Sequence, residues 1–487
     1  MKNSIISLFI ILAVSSSCKK MLDVTPLDEF SPGTVLTNEA GIKSLLNSSY
    51  AGIQSQPNYR FSLNFGEVCT DIAFNTGGNE NLIYTQFINF TWDPSVGEFN
   101  GICWAPFYRS IRDANFVLEN IDGVSGISEQ LKKQYIAEAR FCRAYSYTQL
   151  YNYFGPVPLR RSSNDDVALP RADDAELRAF IETELNESAA DLPNPGQEEL
   201  FGRATKGAAY AVLAKFLLNT KEWQKAADAA KKVMDLNYYQ LYPVFKDMFK
   251  VENEKNKEMI WVVSCTNQKT DRGNWFPSGA LPVGFQYTDQ LPEYRWTSAL
   301  QIFATKYKLR TAFVNTFDPD DQRFVLVVRK YVNQQNNVVD LTATPNACAS
   351  LKYFDNNALK NESGNDIPLV RFADILLTRA EALNELSAAP GTEAFNLINQ
   401  VRSRAGLDDL DINNTPTKED FRDAILRERG WEFVSEGKRR EDLIRHGKFI
   451  SLAQARGAVN AKPTHVRFPI PQAEIDANPN IVQNDGY

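Results

Sequence analysis

Residues 206–236 read KGAAYAVLAKFLLNTKEWQKAADAAKKVMDL, two helical segments joined by a short turn. The first segment, 206–219, is apolar on nearly all sides, and the second, 222–236, is amphipathic. Counted from Ala214, the small and apolar positions follow the spacing of a tetratricopeptide helix pair, in which two antiparallel helices cross closely. These positions are Tyr210, Leu213, Leu217, Ala226, Ala230 and Val233. The stretch therefore predicts one unit of a helical repeat.

A second copy of this pattern begins at Arg371, with Ala380 in the position of Ala214. Its first helix contains Leu376 and Leu383. Its second helix repeats the same steps at Ala394, Ile398 and Val401. Two copies that bracket a non-repetitive middle predict a helical scaffold interrupted by a large insertion.

Apolar periodicity predicts further helices on both sides of the insertion. The longest, 128–154, stops at Gly155-Pro156, because glycine followed by proline ends a helix. The insertion instead has strand-like runs at 259–264 and 324–332 among Gly, Pro and Asn loops. The predicted fold is mostly α, a tetratricopeptide-like helical scaffold with a loop-rich insertion containing short strands. The other predicted helices are 38–55, 103–121, 172–191, 417–436 and 439–454.

The chain divides into five parts on this interpretation. The N-terminal scaffold includes an aromatic, loop-rich region at 56–102. The last residues, from Phe468 to Tyr487, form a proline-punctuated tail that is predicted to be neither regular helix nor central strand. The five parts are a signal peptide (1–17), a lipid-anchored tether (18–37), the N-terminal scaffold (38–239), an irregular ligand-binding insertion (240–366) and the C-terminal scaffold with its tail (367–487).

Cys18 follows a start that is typical of an exported protein. Lys2, an apolar run at 5–14 and three serines precede it, as in a secretory signal peptide. The apolar run is too short to cross a bilayer, which takes roughly 20 residues. A cysteine directly after small residues resembles a bacterial lipobox, in which Cys18 becomes the acylated N-terminus and several acyl chains give stable attachment. The alternative is an ordinary signal peptide with a chance cysteine.

Composition and missing motifs exclude several classes of function. A net charge of −7 without basic blocks argues against a nucleic-acid partner. The sequence has only two histidines and no HExxH, Cys/His cluster, GxxxxGK[ST] or GxSxG motif, so no metal, cofactor or catalytic residue is predicted. Glu67 and Asp71 are the most suggestive pair for a glycosidase, but capping or surface carboxylates are the favoured interpretation. The five cysteines after Cys18 lack CxxC spacing, which favours buried free thiols over disulfides.

A charged run near the C-terminus predicts a structural network of ion pairs. Glu428, Glu432 and Glu436 repeat every four residues and form one stripe of a helix. Arginine forks match carboxylates bidentately, so we expect the arginines after this stripe to face it. They are Arg439, Arg440 and Arg445.

Five further patterns occur in order along the chain. They are MLDVTP (21–26) behind Cys18, the helix at 104–121, EARFCRAY to YFGPVPL (138–159), IPLVRFADILLTRAEA (367–382), and a C-terminal set. That set consists of ERGWEFVSEGKR (428–439), Asp442-Leu443, Gly447-Lys448, and the tail PIP (469–471) with Asn480 and Gln483-Asn484. In this order and spacing they resemble the SusD/RagB family of Bacteroidetes outer-membrane lipoproteins. Asp485 stands where the family often has proline, and Lys19-Lys20 precedes the acidic residues associated with surface export. The insertion matches no family motif.

The resemblance implies a helical fold, an irregular ligand-binding face and no catalysis. It also implies a lipid anchor in the outer membrane, with the protein facing the exterior as a lid on a SusC-like TonB-dependent transporter. The ligand would be a glycan or, in some members, a peptide. The helical repeat face would dock the transporter, since concave repeats usually bind protein. Two alternatives remain beside ligand capture, a surface glycosidase and a structural lid with no ligand of its own.

The candidate ligand site combines the two aromatic loop regions, because sugar rings stack on Trp and Tyr while their hydroxyls bind polar side chains. The rings could instead pack the insertion against the helices, as is expected of Trp104 and Trp431. The predicted residues are Tyr59, Arg60, Asp71, Asn79 and Trp92 from the first region, and Trp275, Tyr287 and Trp296 from the insertion.

Overall fold

A computed structural model describes residues 36–54, 64–78, 81–268, 272–303 and 306–487. Helices dominate the part before the insertion. A π-helical turn (Asn64–Val68) and strand β1 (Ala73–Asn75) lie between the first two helices, and a second π-helical turn (Phe99–Trp104) leads into the third. The helices are α1 (Glu39–Gln54), α2 (Asn81–Asn89), α3 (Ala105–Asn120), α4 (Glu129–Phe154), α5 (Asp174–Asp191), α6 (Lys206–Asn219) and α7 (Trp223–Met234).

Local capping explains where these helices begin and end. The Ser128 hydroxyl accepts a hydrogen bond from the Leu131 N–H at 3.2 Å at the start of α4, and Gly155, with φ 75°, ends it. Helix α6 has the predicted bounds, with the Thr205 side chain as its N-cap. The loop-rich prediction for 56–102 misses α2, a short helix that buries only two of its side chains.

The insertion contains the short strands expected of it. Strand β2 pairs antiparallel with β9, so the chain leaves and re-enters the scaffold at one place. Strands β3, β6 and β7 form one antiparallel sheet, β5 pairs with β8, and β4 pairs with β1 of the N-terminal part. In chain order the elements are β2 (Met259–Val263), α8 (Phe276–Ala280), β3 (Phe285–Tyr287), β4 (Tyr307–Leu309), α9 (Thr311–Val314), β5 (Val327–Val328), β6 (Lys330–Asn333), β7 (Val338–Asp340), β8 (Ala349–Ser350) and β9 (Ile367–Arg371).

One of the two strand predictions is confirmed, and the other is wrong in part. The run at 259–264 is confirmed by β2. The run at 324–332 is wrong at its start, because Gln322–Leu326 is a 3-10 turn that precedes β5 and β6. The Asp321 side chain accepts a hydrogen bond from the Arg323 N–H at 2.9 Å, which favours the turn over a strand.

The C-terminal part returns to helix. A single helix over 439–454 is wrong, because Gly447, with φ 68°, separates α13 from α14. The prediction of a tail without helix is also wrong. Helix α15 starts directly after Pro471, where the missing proline N–H costs nothing. The helices are α10 (Phe372–Leu386), α11 (Thr392–Arg404), α12 (Lys418–Glu432), α13 (Arg439–Arg445), α14 (Phe449–Ala455) and α15 (Gln472–Ala477).

Helix pairs stack side by side into the predicted scaffold. Helix α1 packs on α3, α4 on α5, α6 on α7 and α10 on α11. The two repeat copies found in the sequence are neighbours, because α7 packs directly against α10. The alanines that anchor these crossings, Ala214, Ala226 and Ala380, have no exposed surface. Small side chains at the crossings therefore let the helices approach, as the repeat pattern predicts.

The buried apolar residues form two hydrophobic cores, one mostly of scaffold residues and one mostly of insertion residues. Trp104 belongs to the first and Trp431 to the second, and both are buried, which confirms their assignment as core residues. The five described cysteines form no disulfide. Four are buried as predicted, and Cys265 is half-buried. No helix in the described ranges has both the length and the apolar character needed to cross a membrane.

Candidate ligand-binding face

A buried network of ion pairs fastens the insertion to the scaffold. Arg323 of the insertion donates to Glu428 at 2.6 Å and to Glu432 at 2.8 Å, both on α12. Arg371, which ends β9, donates to Glu432 and, at 2.9 Å, to Glu436. Burial alone would raise the pKa of Glu432, but the surrounding guanidinium groups hold that pKa well below its ordinary range. The network therefore fixes the position of the insertion on α12.

The glutamate stripe belongs to a structural network as predicted, but its predicted partners are wrong. Arg439 pairs with Asp71 instead, and Arg445 pairs with Glu381. Arg440 donates to a backbone carbonyl oxygen at 2.7 Å. The stripe is already occupied by cations from the insertion, from β9 and from α11, which are distant in sequence.

Hydrogen bonds fix the two insertion tryptophans that were predicted to bind ligand. Trp275, just before α8, donates from its indole Nε1 to Glu362 at 2.8 Å, and the Gly273 N–H donates to the same carboxylate at 2.5 Å. Trp296 donates from Nε1 to the Leu300 carbonyl oxygen at 2.8 Å. Both rings are half-buried. Each ring therefore packs on the insertion along one part and reaches solvent along the other.

Tyr287 lies in the neighbouring strand β3 and is also half-buried. The guanidinium carbon of Arg295 lies 4.2 Å from the centroid of its ring, a cation–π contact that covers one face. The backbone N–H of Trp296 donates to the Gln286 carbonyl oxygen at 2.8 Å, which holds the loop of Trp296 against β3. Tyr287 and Trp296 are thus brought to the same part of the insertion.

The loops that contain these rings meet on one side of the insertion. The Gln301 N–H donates to the Lys360 carbonyl oxygen at 2.6 Å, and the Phe303 N–H donates to the Ser278 carbonyl oxygen at 3.0 Å. Phe303 is 47% exposed and Leu359 is 51% exposed, so both present apolar surface to solvent. The name insertion face is used below for Trp275, Tyr287, Trp296, Phe303 and Leu359.

Phe303 and Leu359 are absent from the sequence prediction. Each is an apolar residue in a loop, and apolar residues of this size are more often buried than exposed. The only signal available in the sequence is that Phe303 follows Trp296 by seven residues in the same loop. Their exposure is decided by the packing of the loops around α8.

Some residues of the predicted site lie outside the described ranges. Thr76, shortly before the predicted residue Asn79, nevertheless contacts the insertion. Its backbone N–H donates to the Lys306 carbonyl oxygen at 3.0 Å, next to the β1–β4 pair. This contact joins Thr76, within the first loop region, to Lys306 of the insertion. The predicted residues outside the described ones are Tyr59, Arg60, Asn79 and the lipidation site Cys18.

Trp92 belongs to the scaffold core and not to a ligand surface. It is 3% exposed, and its Nε1 donates to the Tyr487 hydroxyl at 2.8 Å. Its ring centroid lies 4.7 Å from that of Phe90, 5.0 Å from that of His465 and 5.3 Å from that of Phe468. Three of these four partners come from the last 23 residues of the chain, so the sequence around Trp92 could not reveal them.

Asp71 is likewise occupied within the protein. The Arg439 guanidinium donates to its two oxygens, from Nε at 2.8 Å and from Nη2 at 2.7 Å. Burial alone would raise the pKa of Asp71, but the Arg439 guanidinium lowers it below the ordinary value. The carboxylate that was expected to bind ligand hydroxyls instead ties the first loop region to α13.

Glu67 has no free oxygen for glycosidase chemistry in this arrangement. It is fully buried and accepts hydrogen bonds from the N–H groups of Glu436 at 3.0 Å and Gly437 at 2.8 Å, and from the Tyr307 hydroxyl. Burial raises the pKa of Glu67, and these donors oppose the rise. Glu67 therefore caps the turn between α12 and α13, while Asp71 forms an ion pair with Arg439 of α13.

No metal centre is formed by the part of the chain that the structure describes. Within those residues, no group of three or more His, Cys, Asp or Glu side chains is arranged to hold an ion.

Two family models match this sequence. The model described as the SusD family matches residues 244–487, and the model described as starch-binding and associating with the outer membrane matches residues 20–218. The chain belongs to the SusD family. The first match spans the C-terminal scaffold and nearly all of the insertion, and the second spans most of the N-terminal scaffold. The family resemblance of the sequence patterns is thereby confirmed.

Individual relatives share the whole length of the chain. The SusD-like protein P25 of Formosa agariphila is 26% identical over 541 residues, which cover 99% of this chain and 98% of that protein. The starch-binding protein SusD of Bacteroides thetaiotaomicron is 26% identical over 549 residues, 97% of this chain and 96% of that protein. A solved laminarin-binding SusD-like protein superimposes with a TM-score of 0.79 at 24% identity, over 93% of this chain and 100% of that one. This structural likeness shows that the two proteins share a fold.

Proposed function

We propose that this protein captures glycans without catalysis and passes them to a SusC-like TonB-dependent transporter in the outer membrane. Its insertion is the ligand-binding part, and the insertion face is the surface that meets the sugar. The helical repeat scaffold holds that surface and docks the transporter. A lipid on Cys18 anchors the chain in the outer membrane, where it faces the exterior.

The insertion face is the observation that supports glycan capture. Sugar rings present apolar C–H faces that pack on aromatic rings, and half-buried tryptophans offer such surfaces in fixed positions. Trp275 and Trp296 are held by their own indole hydrogen bonds, so little conformational freedom would be lost on binding. Phe303 and Leu359 extend the apolar surface beside them.

The names of the relatives support the same class of ligand. One is a starch-binding protein and a structural neighbour is a laminarin-binding protein. The best carboxylate candidates for hydrolysis, Glu67 and Asp71, bind the protein's own backbone and Arg439. Capture without cleavage is therefore favoured over a surface glycosidase. A peptide ligand is the second candidate, because the insertion matches no motif that would specify sugar.

Affinity gel electrophoresis tests the proposal. The purified chain is run through gels that contain starch, laminarin or other polysaccharides, and retardation reports binding. Phe303→Ala and Trp296→Ala should each weaken binding by about 2 kcal/mol, roughly thirtyfold, as expected for an anchor residue of a binding surface. Trp223→Ala is the matched control, since Trp223 is also half-buried but lies at the start of α7. Unchanged retardation of both face variants, or binding of peptides alone, would contradict glycan capture by this face.

The anchoring and transport parts of the proposal need a cellular test. A Cys18→Ala strain should lose most uptake of the bound glycan while the purified variant keeps its affinity. Co-purification of a TonB-dependent transporter with the wild-type chain from detergent-solubilised membranes is the second expected result. Full uptake by the Cys18→Ala strain would refute the role of the anchor.

A further inference from the structure

A cleft on the scaffold, away from the insertion, has the features of a second binding site. Its volume is about 580 Å³, within the range of roughly 300–1,000 Å³ that is usual for small-molecule sites. It lies between α3, the loop that follows α4, and the tail around α15. None of its lining residues belongs to the insertion. It is therefore a different place from the insertion face.

The side chains that line this cleft include cationic groups, carboxyl groups and an aromatic ring. Arg109 and Arg160 line it as cations, and Asp165 and Glu474 line it as carboxyl groups. Tyr108, half-buried, adds an aromatic ring to the lining, and its hydroxyl donates to the Pro158 carbonyl oxygen at 2.8 Å. Sugar hydroxyls both donate and accept hydrogen bonds, so a mixture of guanidinium and carboxyl groups beside a ring suits them.

The balance of charge favours a neutral ligand. A third arginine, Arg112, is already neutralised, because Asp113 accepts from its Nε at 2.9 Å and its Nη2 at 2.8 Å. The other charged side chains of the lining are two arginines and two carboxyl groups, so their formal charges balance. Burial raises the pKa of Glu474, although Trp104 and Arg160 favour its charged form. Neither a polyanion nor a polycation would gain much from such a surface.

The walls of the cleft are held in place before any ligand arrives. The Tyr147 hydroxyl accepts from the Arg160 N–H at 2.7 Å, and the Arg160 guanidinium donates to the carbonyl oxygens of Asp166 at 3.1 Å and Val167 at 2.8 Å. Arg109 is exposed and has no ion pair with any carboxylate among the described residues, so it is available to a ligand. Such preorganisation lowers the entropic cost of binding.

We propose that this cleft is a second binding site for a neutral oligosaccharide, separate from the insertion face. The proposal rests on the proposed function for the class of ligand and goes beyond it in the number of sites. Two sites on one chain would hold a long polysaccharide at two points, which raises its apparent affinity above that of a short fragment. The scaffold would then take part in capture directly.

Isothermal titration calorimetry with a neutral hexasaccharide tests this. The probe is maltohexaose if starch retards the chain in the gels, and laminarihexaose if laminarin does. The wild-type chain should bind two molecules, and the double variant Arg109→Ala/Glu474→Gln should bind one. Trp296→Ala should also leave one, at the cleft. For the parent polysaccharide, the cleft variant should lose about tenfold in apparent affinity by the loss of the second point of attachment. Arg427→Ala, an exposed arginine on α12 outside the cleft, is the control.

The outcomes separate the two proposals. If the wild-type chain binds one molecule, and this binding is lost with Trp296→Ala but not with the cleft variant, the second site is refuted. The proposed function then stands. If the wild-type chain binds one molecule, and only the cleft variant abolishes this binding, the insertion face is refuted as the binding surface. The result then supports the cleft as a binding site. A peptide or an acidic oligosaccharide that binds through Arg109 more tightly than the hexasaccharide overturns the ligand class proposed for the cleft.

Discussion

Glu432→Gln is expected to destabilise the protein strongly, because it unbalances the buried charge network between the insertion and α12. The ion pairs of this network join five cations to five carboxylates, so its formal charge is zero. All of these side chains are buried or nearly so. The cations are Arg323, Lys352, Arg371, Arg402 and Arg404, and the carboxylates are Glu258, Asp321, Glu428, Glu432 and Glu436.

The magnitude follows from what Glu432 contacts. Its side chain has no exposed surface and accepts from Arg371, from Arg404 and, at 2.8 Å, from Arg323. Glutamine keeps the shape but leaves one uncompensated positive charge and turns an NH2 group toward a guanidinium. Removal of one partner from a buried ion pair costs about 3–5 kcal/mol. We expect the free energy of unfolding to fall by that amount.

Urea unfolding followed by tryptophan fluorescence and far-UV circular dichroism measures the change. Glu419→Gln is the matched control on the same helix, since its partner Arg422 is partly exposed and a surface pair contributes about 0–1 kcal/mol. Adding Arg404→Met to Glu432→Gln restores neutrality and should recover part of the loss. The reasoning fails if Glu432→Gln costs no more than Glu419→Gln, or if the double variant is less stable than the sum of the single changes.

Two further predictions concern stability. Gly66→Ala should cost about 1–3 kcal/mol in the free energy of unfolding, because its Cβ would lie 2.0 Å from the Gly437 carbonyl oxygen, whereas Gly97→Ala meets nothing within 4 Å and should be nearly neutral in the same urea titration. Burial raises the pKa of Glu254 to about 8 and that of Asp366 to about 7, and the Asp366 charge adds to the rise at Glu254. At these two carboxyl groups the folded chain holds more protons than the unfolded chain between about pH 5 and pH 8, so the stability that they contribute should fall as the pH rises through that window. Glu254→Gln should flatten this dependence in urea titrations at the two ends of the window, and an unchanged slope would contradict the assignment.

Helix positions were predictable to the extent that their signals are local. The bounds of α6 and the end of α4 at Gly155 follow from capping residues and apolar periodicity within the segment itself. The split between α13 and α14 is also local, since Gly447 has a positive φ, but glycine alone does not specify that conformation. Short elements such as α2 and α15 gave too few periods to be recognised.

The candidate site was predictable only in composition. Trp275, Tyr287 and Trp296 are half-buried in the insertion, where the aromatic cluster of the sequence suggested a surface. Trp92 and Asp71 come from an equally aromatic and polar region, yet they are sequestered by the tail and by α13. Residues that cover a side chain from hundreds of positions away leave no trace in its own sequence neighbourhood.

The sequence by itself determined the helical scaffold and its repeat spacing. These follow from periodicity and capping, which act over a few neighbouring residues. Only the tertiary structure decided which charges pair with the stripe that contains Glu432, and which aromatic rings reach solvent. Ion pairs and exposure depend on chain segments that folding brings together. Arg323 and Arg371, for example, contact glutamates of α12 that lie more than sixty residues away in the sequence. The insertion face and the scaffold cleft are consequences of that assembly.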